Sequence, residues 1–211
     1  MRKRVTVYWL IPAEPERELF REIIRVLAKQ FDGPRFEPHL TIFATAAAGQ
    51  SPRNILEQID AKPIRLRVRE VAFSSKFSKT LFVRFHSSKA FENLATDLAR
   101  AARSRAQFVR DPHVSLLYKR MPISAKRDLA SAIQLPFTEV DFNLIRAVRC
   151  ISSTQTCADV AGWRVVATKS LSHRRHQGAV RYPEFAPRFP RQCRRKRRFS
   201  GSTMRRRSGR L

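Results

Sequence analysis

The sequence lacks any run of 18 or more apolar residues, so it contains no segment that could form a membrane-spanning helix. Its first residues are basic, but the short apolar stretch that follows stops at Pro12 and has no small-residue cleavage site, which is untypical of a signal peptide. Cysteine is scarce, and Cys150, Cys157 and Cys193 fit no zinc-binding spacing and cannot all pair. These features predict a cytoplasmic protein with reduced thiols and no part in a membrane.

Acidic residues are also few: 17 Asp and Glu stand against 43 Lys and Arg, a net charge of +26. Residues 172–211 hold 14 of the basic residues and one acid, so about a fifth of the chain carries half of the net charge. Like charges at this density repel and build no core, which predicts a basic, disordered tail over 172–211. Two interpretations of the tail are open: weak nucleic-acid binding by counterion release, or a segment without a selected function.

Residues 1–171 read as one domain that contains an internal repeat. The first copy, about residues 4–74, is predicted as strand, helix, strand, helix and strand, at 5–10, 14–30, 37–43, 52–59 and 64–73. The second copy, about residues 78–170, repeats this order with elements at 80–85, 88–104, 111–117, after Pro122, and within 137–151 and 163–167. The repeat predicts an α+β fold with two pseudo-symmetric antiparallel-sheet lobes, outer helices and a cleft between the lobes.

Two hexapeptides, 74 residues apart, anchor the two copies to each other. Residues 37–42 read EPHLTI and residues 111–116 read DPHVSL: acid, proline, histidine, aliphatic, hydroxyl, aliphatic. In a strand, residues i and i+2 point to the same face, so each histidine projects together with the hydroxyl two positions later. The spacing therefore predicts a site formed by His39, Thr41, His113 and Ser115.

Two imidazoles and two hydroxyls are suited to displacement at phosphorus. A base must take a proton from the attacking group, and an acid must protonate the departing oxygen. Histidine suits both roles because its ordinary pKa, about 6.5, lies near neutrality. The hydroxyls of Thr41 and Ser115 can donate hydrogen bonds to the non-bridging phosphate oxygens. This chemistry requires no metal and no cofactor, and we predict none.

The two motifs resemble those of the 2H phosphoesterase superfamily, and the wording FEPHLT with PHVSLLY is similar to its cyclic phosphodiesterase branch. The resemblance covers about residues 4–170. It implies a bilobal fold with the motifs facing each other across a cleft. It also implies metal-independent hydrolysis of a 2',3'-cyclic nucleotide or of ADP-ribose 1'',2''-cyclic phosphate.

The resemblance further implies roles for individual residues. Trp9 and Tyr118 occupy the positions at which the family holds the nucleoside, and both rings can stack on a base. His113 is expected as the base and His39 as the acid, although the near symmetry of the motifs leaves this assignment open. The expected substrate is a small cyclic nucleotide or nucleotide-sugar phosphate, and we expect a monomer.

Two other functions fit the sequence. A 2'-5' RNA ligase-like enzyme acting on RNA ends belongs to the same superfamily, and the net charge of +13 over residues 1–171 favours it. A non-catalytic, basic RNA-binding protein, in which the motifs only hold phosphate, is supported mainly by the tail.

Overall fold

Residues 2–46, 50–104 and 111–171 are described by the structure, a computed structural model. All of them belong to the first of the two units into which the chain divides, residues 1–180 and 181–211. The predicted disordered tail lies outside the described residues. Within the described ranges, no helix is both long and apolar enough to cross a membrane.

The first copy of the repeat forms its five elements in the predicted order. They are β1 (Arg4–Pro12), α1 (Glu16–Phe31), β2 (Leu40–Ala46), α2 (Pro52–Glu57) and β3 (Ile64–Phe73). Helix α1 forms because its apolar residues recur at helical spacing, and this stripe is buried: Phe20, Ile23, Ile24, Leu27 and Ala28. The helix ends where Asp32 takes a left-handed conformation with φ of 51°, just before Gly33.

The second copy repeats this order and adds two short elements that the sequence did not predict. Its elements are a 3₁₀ turn (Phe77–Lys79), β4 (Leu81–Phe85), α3 (Lys89–Ala101), β5 (His113–Leu117), α4 (Ile123–Ala132), β6 (Glu139–Ile151), α5 (Cys157–Ala161) and β7 (Arg164–Ser170). Helix α5 has five residues, too few for an apolar period to show. Its start is fixed by a capping box, in which the side chains of Thr156 and Asp159 each accept from the other's backbone N–H.

The seven strands form one antiparallel sheet with the order β1-β2-β5-β4-β3-β6-β7. Strand β6 is long enough to pair with two strands in succession: residues 139–142 pair with β3, and residues 142–151 pair with β1. The pairing with β1 closes the first six strands into a ring. This sheet with its helices confirms the predicted α+β fold.

The lobes of the sheet contain strands from both halves of the sequence. The third strand of each repeat pairs with the first strand of the other, β3 with β4 and β6 with β1. The exchange arises because the links through α2 and α4 carry these third strands across to the opposite lobe. Each lobe therefore contains strands from both copies of the repeat, residues 4–74 and 78–170. The two copies do not coincide with the two lobes.

Strand β1 is buried on both faces and forms a wall between the core and the cleft. Tyr8 and Leu10 point to one face and are 0% exposed. Trp9 and Ile11 point to the other face, where they form a separate apolar cluster with Val148 of β6. The cleft lies on the side of this second cluster.

Candidate active site

The two histidine motifs meet where β2 and β5 join. One residue pair, Leu40 opposite Val114, links these strands, and each of the two directly follows a motif histidine. In an antiparallel pair the neighbouring positions also face each other, so each histidine lies opposite the hydroxyl residue of the other motif. Alternation directs the motif side chains to the face opposite the buried Leu40 and Val114. The side chains on that face are His39, Thr41, His113 and Ser115.

All four predicted catalytic side chains line one cleft with a volume of about 330 Å³. Trp9, Val7 and Val5 of β1 form one wall, and the loop 152–154 after β6 closes the far end. At about 3.3 Å per residue, the stretch from Trp9 to Val5 is about 13 Å long. The cleft therefore continues past the histidines into a part lined by apolar side chains and by the hydroxyl residues of the loop.

The two imidazoles are oriented in the same way. His39 Nδ1 lies 2.7 Å from the backbone carbonyl of Glu37, and His113 Nδ1 lies 2.7 Å from the backbone carbonyl of Asp111. A carbonyl only accepts, so Nδ1 donates in both rings. The neutral form of each ring then carries its lone pair on Nε2, the atom left for the cleft.

Aromatic rings surround His39. Its ring stacks on the indole of Trp9, with 3.8 Å between centroids, and meets Trp163 and Phe36 edge-on at 5.5 and 6.2 Å. Burial lowers the pKa of His39 from 6.5 to about 4, although its hydrogen bond to the Glu37 carbonyl opposes the shift. His39 is therefore neutral at pH 7 in the free protein.

Charged groups surround His113. Lys79 and Arg84 both pair with the carboxylate of Asp111, two residues before the histidine. Burial lowers the pKa of His113, and the two cations lower it further, while the Asp111 carbonyl and carboxylate oppose the shift. The same motif thus stands in an apolar setting at His39 and in an ionic setting at His113.

The two motif hydroxyls also differ. Thr41 is half-buried, and its hydroxyl makes no hydrogen bond to any of the described residues. Ser115 is 4% exposed, and its Oγ donates to the backbone carbonyl of Ser78 at 3.0 Å. Thr41 is available to a bound phosphate as it stands, whereas Ser115 has to release Ser78 before it can donate.

The predicted nucleoside contacts, Trp9 and Tyr118, both line the cleft but are packed against other rings. Trp9 is 4% exposed and gives one face to His39. Tyr118 is 3% exposed and stacks on Phe36 with 4.1 Å between centroids. Tyr118 reaches the cleft because β5 ends at Leu117, so the side chain of Tyr118 does not have to follow the alternation of the strand. Their contact with a nucleoside stays a prediction.

Trp163 is a site residue that the sequence reasoning missed. It directly precedes β7, lines the cleft, and has its ring centroid within 6.3 Å of those of Trp9, Phe36 and Tyr118. Its Nε1–H is buried and has no hydrogen-bond acceptor among the described residues. Trp163 is one of only two tryptophans in the chain, and this rarity is the one signal in the sequence. It indicates the site only when the pairing of β7 with β6 is known.

Within the described ranges, no cluster of three or more His, Cys, Asp and Glu side chains could hold a metal ion. The expectation of a reaction without metal or cofactor stays a prediction, to be tested by assay.

Comparison with known proteins gives one curated relative. No family model matches the sequence. A cyclic phosphodiesterase of Arabidopsis thaliana is 22% identical over 178 residues, which cover 82% of this chain and 98% of the relative.

Solved structures with similarity to the chain include two bacterial proteins. E. coli LigT in its apo form has 15% identity and a TM-score of 0.48, over 82% of this chain and 100% of that one. TT0787 of Thermus thermophilus has 18% identity and a TM-score of 0.49, over 83% and 100%. A second LigT structure, complexed with 3'-AMP, has 15% identity and a TM-score of 0.46, over 81% and 99%.

Proposed function

We propose that this chain, a member of the 2H phosphoesterase superfamily, hydrolyses a cyclic phosphodiester by paired histidine acid–base catalysis. The proposed substrates are a 2',3'-cyclic nucleotide or ADP-ribose 1'',2''-cyclic phosphate. The 22% identical relative is a cyclic phosphodiesterase, which supports this class of reaction.

One observation carries the proposal: both histidines line one cleft with Nδ1 bound to a backbone carbonyl. This arrangement leaves two Nε2 atoms for proton transfer at a single phosphate. With Nδ1 donating, each neutral ring presents a lone pair at Nε2, which can accept a proton but cannot donate to a phosphate oxygen. The repeated orientation therefore favours catalysis over a motif that only holds phosphate.

The proposed reaction is a single displacement at phosphorus. One imidazole takes a proton from water, whose oxygen bonds to phosphorus as the ring P–O bond breaks. The other imidazole gives a proton to the departing oxygen, so a phosphomonoester and a free hydroxyl are formed. Thr41 and Ser115 donate to the non-bridging oxygens, where negative charge grows in the transition state.

The length of the cleft bears on the substrate. The stretch of β1 from Trp9 to Val5, which forms one wall, is about 13 Å long. A nucleotide-sugar or an oligonucleotide end would extend farther along this wall than a cyclic nucleotide. Trp9, Tyr118 and Trp163 are the proposed ring contacts for the nucleoside nearest the histidines.

A turnover assay on three substrates tests the proposal: 2',3'-cyclic AMP, ADP-ribose 1'',2''-cyclic phosphate and an oligonucleotide with a 2',3'-cyclic end. We expect hydrolysis of a small cyclic phosphate, undiminished after dialysis against EDTA. Preference for the oligonucleotide would favour the RNA ligase-like alternative. Binding without turnover of any substrate would favour the RNA-binding protein and overturn the proposal.

Variants of the histidines make the assay specific to this site. His39→Ala and His113→Ala should each lower kcat by about 10²–10⁴, and the double variant should fall well short of the product of the two losses. His86→Ala is the matched control, because His86 lies on the surface outside the cleft and should leave kcat unchanged. A folded double variant with the parent rate contradicts the proposal.

A further inference from the structure

The acid that precedes each motif histidine by two residues is tied to cations from other elements. Glu37 Oε1 lies 2.6 Å from Arg17 Nε and 3.1 Å from Arg21 Nη2, both of α1. Arg146 of β6 approaches the same oxygen to 3.8 Å. Three arginines from two elements therefore converge on one carboxylate oxygen.

Asp111 is held in the same manner in the second motif. Arg84 Nε of β4 lies 2.8 Å from its Oδ1, and Lys79 of the 3₁₀ turn pairs with its Oδ2. Arg84 also pairs with Glu70 of β3, so the group is linked to a further strand. Neither acid lies in a helix or strand itself, and side-chain contacts anchor both segments.

The backbone of the same two acids meets the histidines. The carbonyls of Glu37 and Asp111 accept the Nδ1–H of His39 and His113, each at 2.7 Å. The intervening proline restricts the acid to extended geometry, which narrows the positions its carbonyl can take. The cations hold the side-chain carboxylate of each acid, and the backbone carbonyl of the same acid holds the imidazole. Together these contacts fix the orientation of each ring.

We propose that Glu37 and Asp111 are positioning residues, whose cation-bound carboxylates hold their own carbonyls against Nδ1 and so keep both Nε2 atoms directed into the cleft. This inference rests on the proposed function for its effect on rate. It explains why both copies of the motif begin with an acid, a feature that proton transfer by the histidines does not require.

The alternative is that the two clusters only stabilise the fold. Partly exposed ion pairs contribute little to stability on their own, and loss of such a contribution leaves the ring tautomers unchanged. The tautomer of each imidazole is therefore the property that separates positioning from stabilisation. It can be read by ¹⁵N NMR of histidine-labelled protein, with no substrate present.

The test uses Glu37→Gln and Asp111→Asn, which keep side-chain size and remove the charge. The expected loss in kcat is about 10- to 100-fold, by analogy with groups that orient metal-binding histidines, with KM within about threefold. In the NMR spectra, the parent should show both rings protonated at Nδ1, and each variant should show mixed tautomers at its own histidine.

Two matched controls remove a charge of the same kind from a surface pair. Glu22→Gln breaks a pair with Arg25 on α1, and Asp97→Asn breaks a pair with Arg100 on α3. Both controls should keep kcat within about twofold and leave the histidine spectra unchanged, because neither acid contacts a motif histidine.

The pH profile of Asp111→Asn gives a second readout. His113 is faced by Lys79, Arg84 and Asp111, and of these charged side chains only the carboxylate raises its pKa. Loss of that charge leaves the two cations unopposed, so the limb of the kcat/KM profile that belongs to His113 should move to lower pH.

Unchanged tautomers in folded Glu37→Gln and Asp111→Asn overturn the inference, whatever their activity. Absence of turnover in the parent would instead overturn the proposed function, and the NMR comparison would still decide whether the acids position the rings.

Discussion

At the scale of residues, the histidines of two nearly identical motifs have different neighbours. Aromatic rings enclose His39, and burial is the main reason that its pKa falls to about 4. Ionic groups enclose His113, and Asp111 offsets part of the effect of burial there. Unequal surroundings of this kind can divide acid from base. The family resemblance implies that His39 is the acid and His113 the base, and this division can be tested by assay.

A substrate with a good leaving group distinguishes the acid from the base. Bis(4-nitrophenyl) phosphate releases 4-nitrophenolate, which needs no proton near neutral pH. The variant that lacks the acid should therefore recover to within about tenfold of the parent rate, while the variant without the base keeps its loss of about 10²–10⁴. The measurement is kcat of His39→Ala and His113→Ala on this ester and on the cyclic nucleotide. Equal losses on both substrates for both variants would contradict a division into acid and base.

The pH dependence of kcat/KM follows from the two lowered pKa values. The productive form has one imidazole neutral and the other protonated, and it is populated between the two pKa values of the pair. Both values lie below the ordinary 6.5, that of His39 at about 4. The profile of kcat/KM, which reports the free enzyme, should peak below pH 6.5 and fall as the pH rises further.

Two comparisons sharpen this prediction. The kcat profile should lie at higher pH, because a bound phosphate anion favours protonated imidazole. Trp9→Leu should move the limb of kcat/KM that belongs to His39 upward from about pH 4, since His39 is then less buried. A kcat/KM profile that stays flat from pH 5 to pH 8 would show that the histidines do not titrate in the way the structure indicates.

At the scale of elements, the sequence predicts local order well and long-range neighbours poorly. The alternation over residues 64–73 predicts β3 with its observed bounds. The motif strands are predicted from 37 and 111 but begin at Leu40 and His113. Pro38 and Pro112 have no N–H for a strand ladder, and the carbonyls of the acids before them bind the imidazoles instead.

The motifs predict that four side chains share one cleft, because their spacing of two residues is a property of one strand. Trp163 and the cations around Glu37 could not be found in this way. Trp163 directly precedes β7 and Arg146 lies in β6, and the exchange of third strands brings these two to the first motif. Arg17 and Arg21 lie in α1 of the same copy as Glu37. No local sequence pattern indicates that exchange of strands.

Helix α5 offers a prediction at this scale because it ends at Ala161, two residues before Trp163. The Asp159 carboxylate accepts from the N–H groups of Gln155 and Thr156 and pairs with Arg2 at 2.6 Å. Thr156→Ala should lower the free energy of unfolding by about 1 kcal/mol, the usual effect of losing an N-cap. It should also raise KM, as Trp163 becomes less firmly placed beside His39.

Urea denaturation and Michaelis kinetics measure the two effects of Thr156→Ala. Thr156→Ser, which keeps the capping hydroxyl, is the control and should retain both values. Loss of stability with an unchanged KM would separate α5 from the site and contradict the link to Trp163.

At the scale of the whole molecule, the predicted boundary between the domain and the basic tail directly follows β7. Leu171, the last described residue, is 3% exposed, and its N–H bonds to the carbonyl of Asn143 at 2.7 Å. The chain is thus tied to the sheet up to this point. The motifs, the cleft and the cations that hold Glu37 and Asp111 all lie before it.

Truncation after Leu171 should therefore leave catalysis intact. The prediction is a kcat on 2',3'-cyclic AMP within about threefold of the full chain, because the tail is predicted from its sequence to build no part of the core. Removing residues 172–211 also lowers the net charge from +26 to +13, so any affinity for nucleic acid should fall and lose much of its dependence on salt. The measurements are turnover, cooperative unfolding in urea, and binding of a single-stranded oligonucleotide at two salt concentrations.

A matched variant that ends at Lys169 loses the bond from Leu171 to Asn143, and it should unfold at a lower urea concentration. If the chain that ends at Leu171 unfolds cooperatively but has lost its activity, the basic segment takes part in the reaction and the catalytic unit extends beyond the sheet.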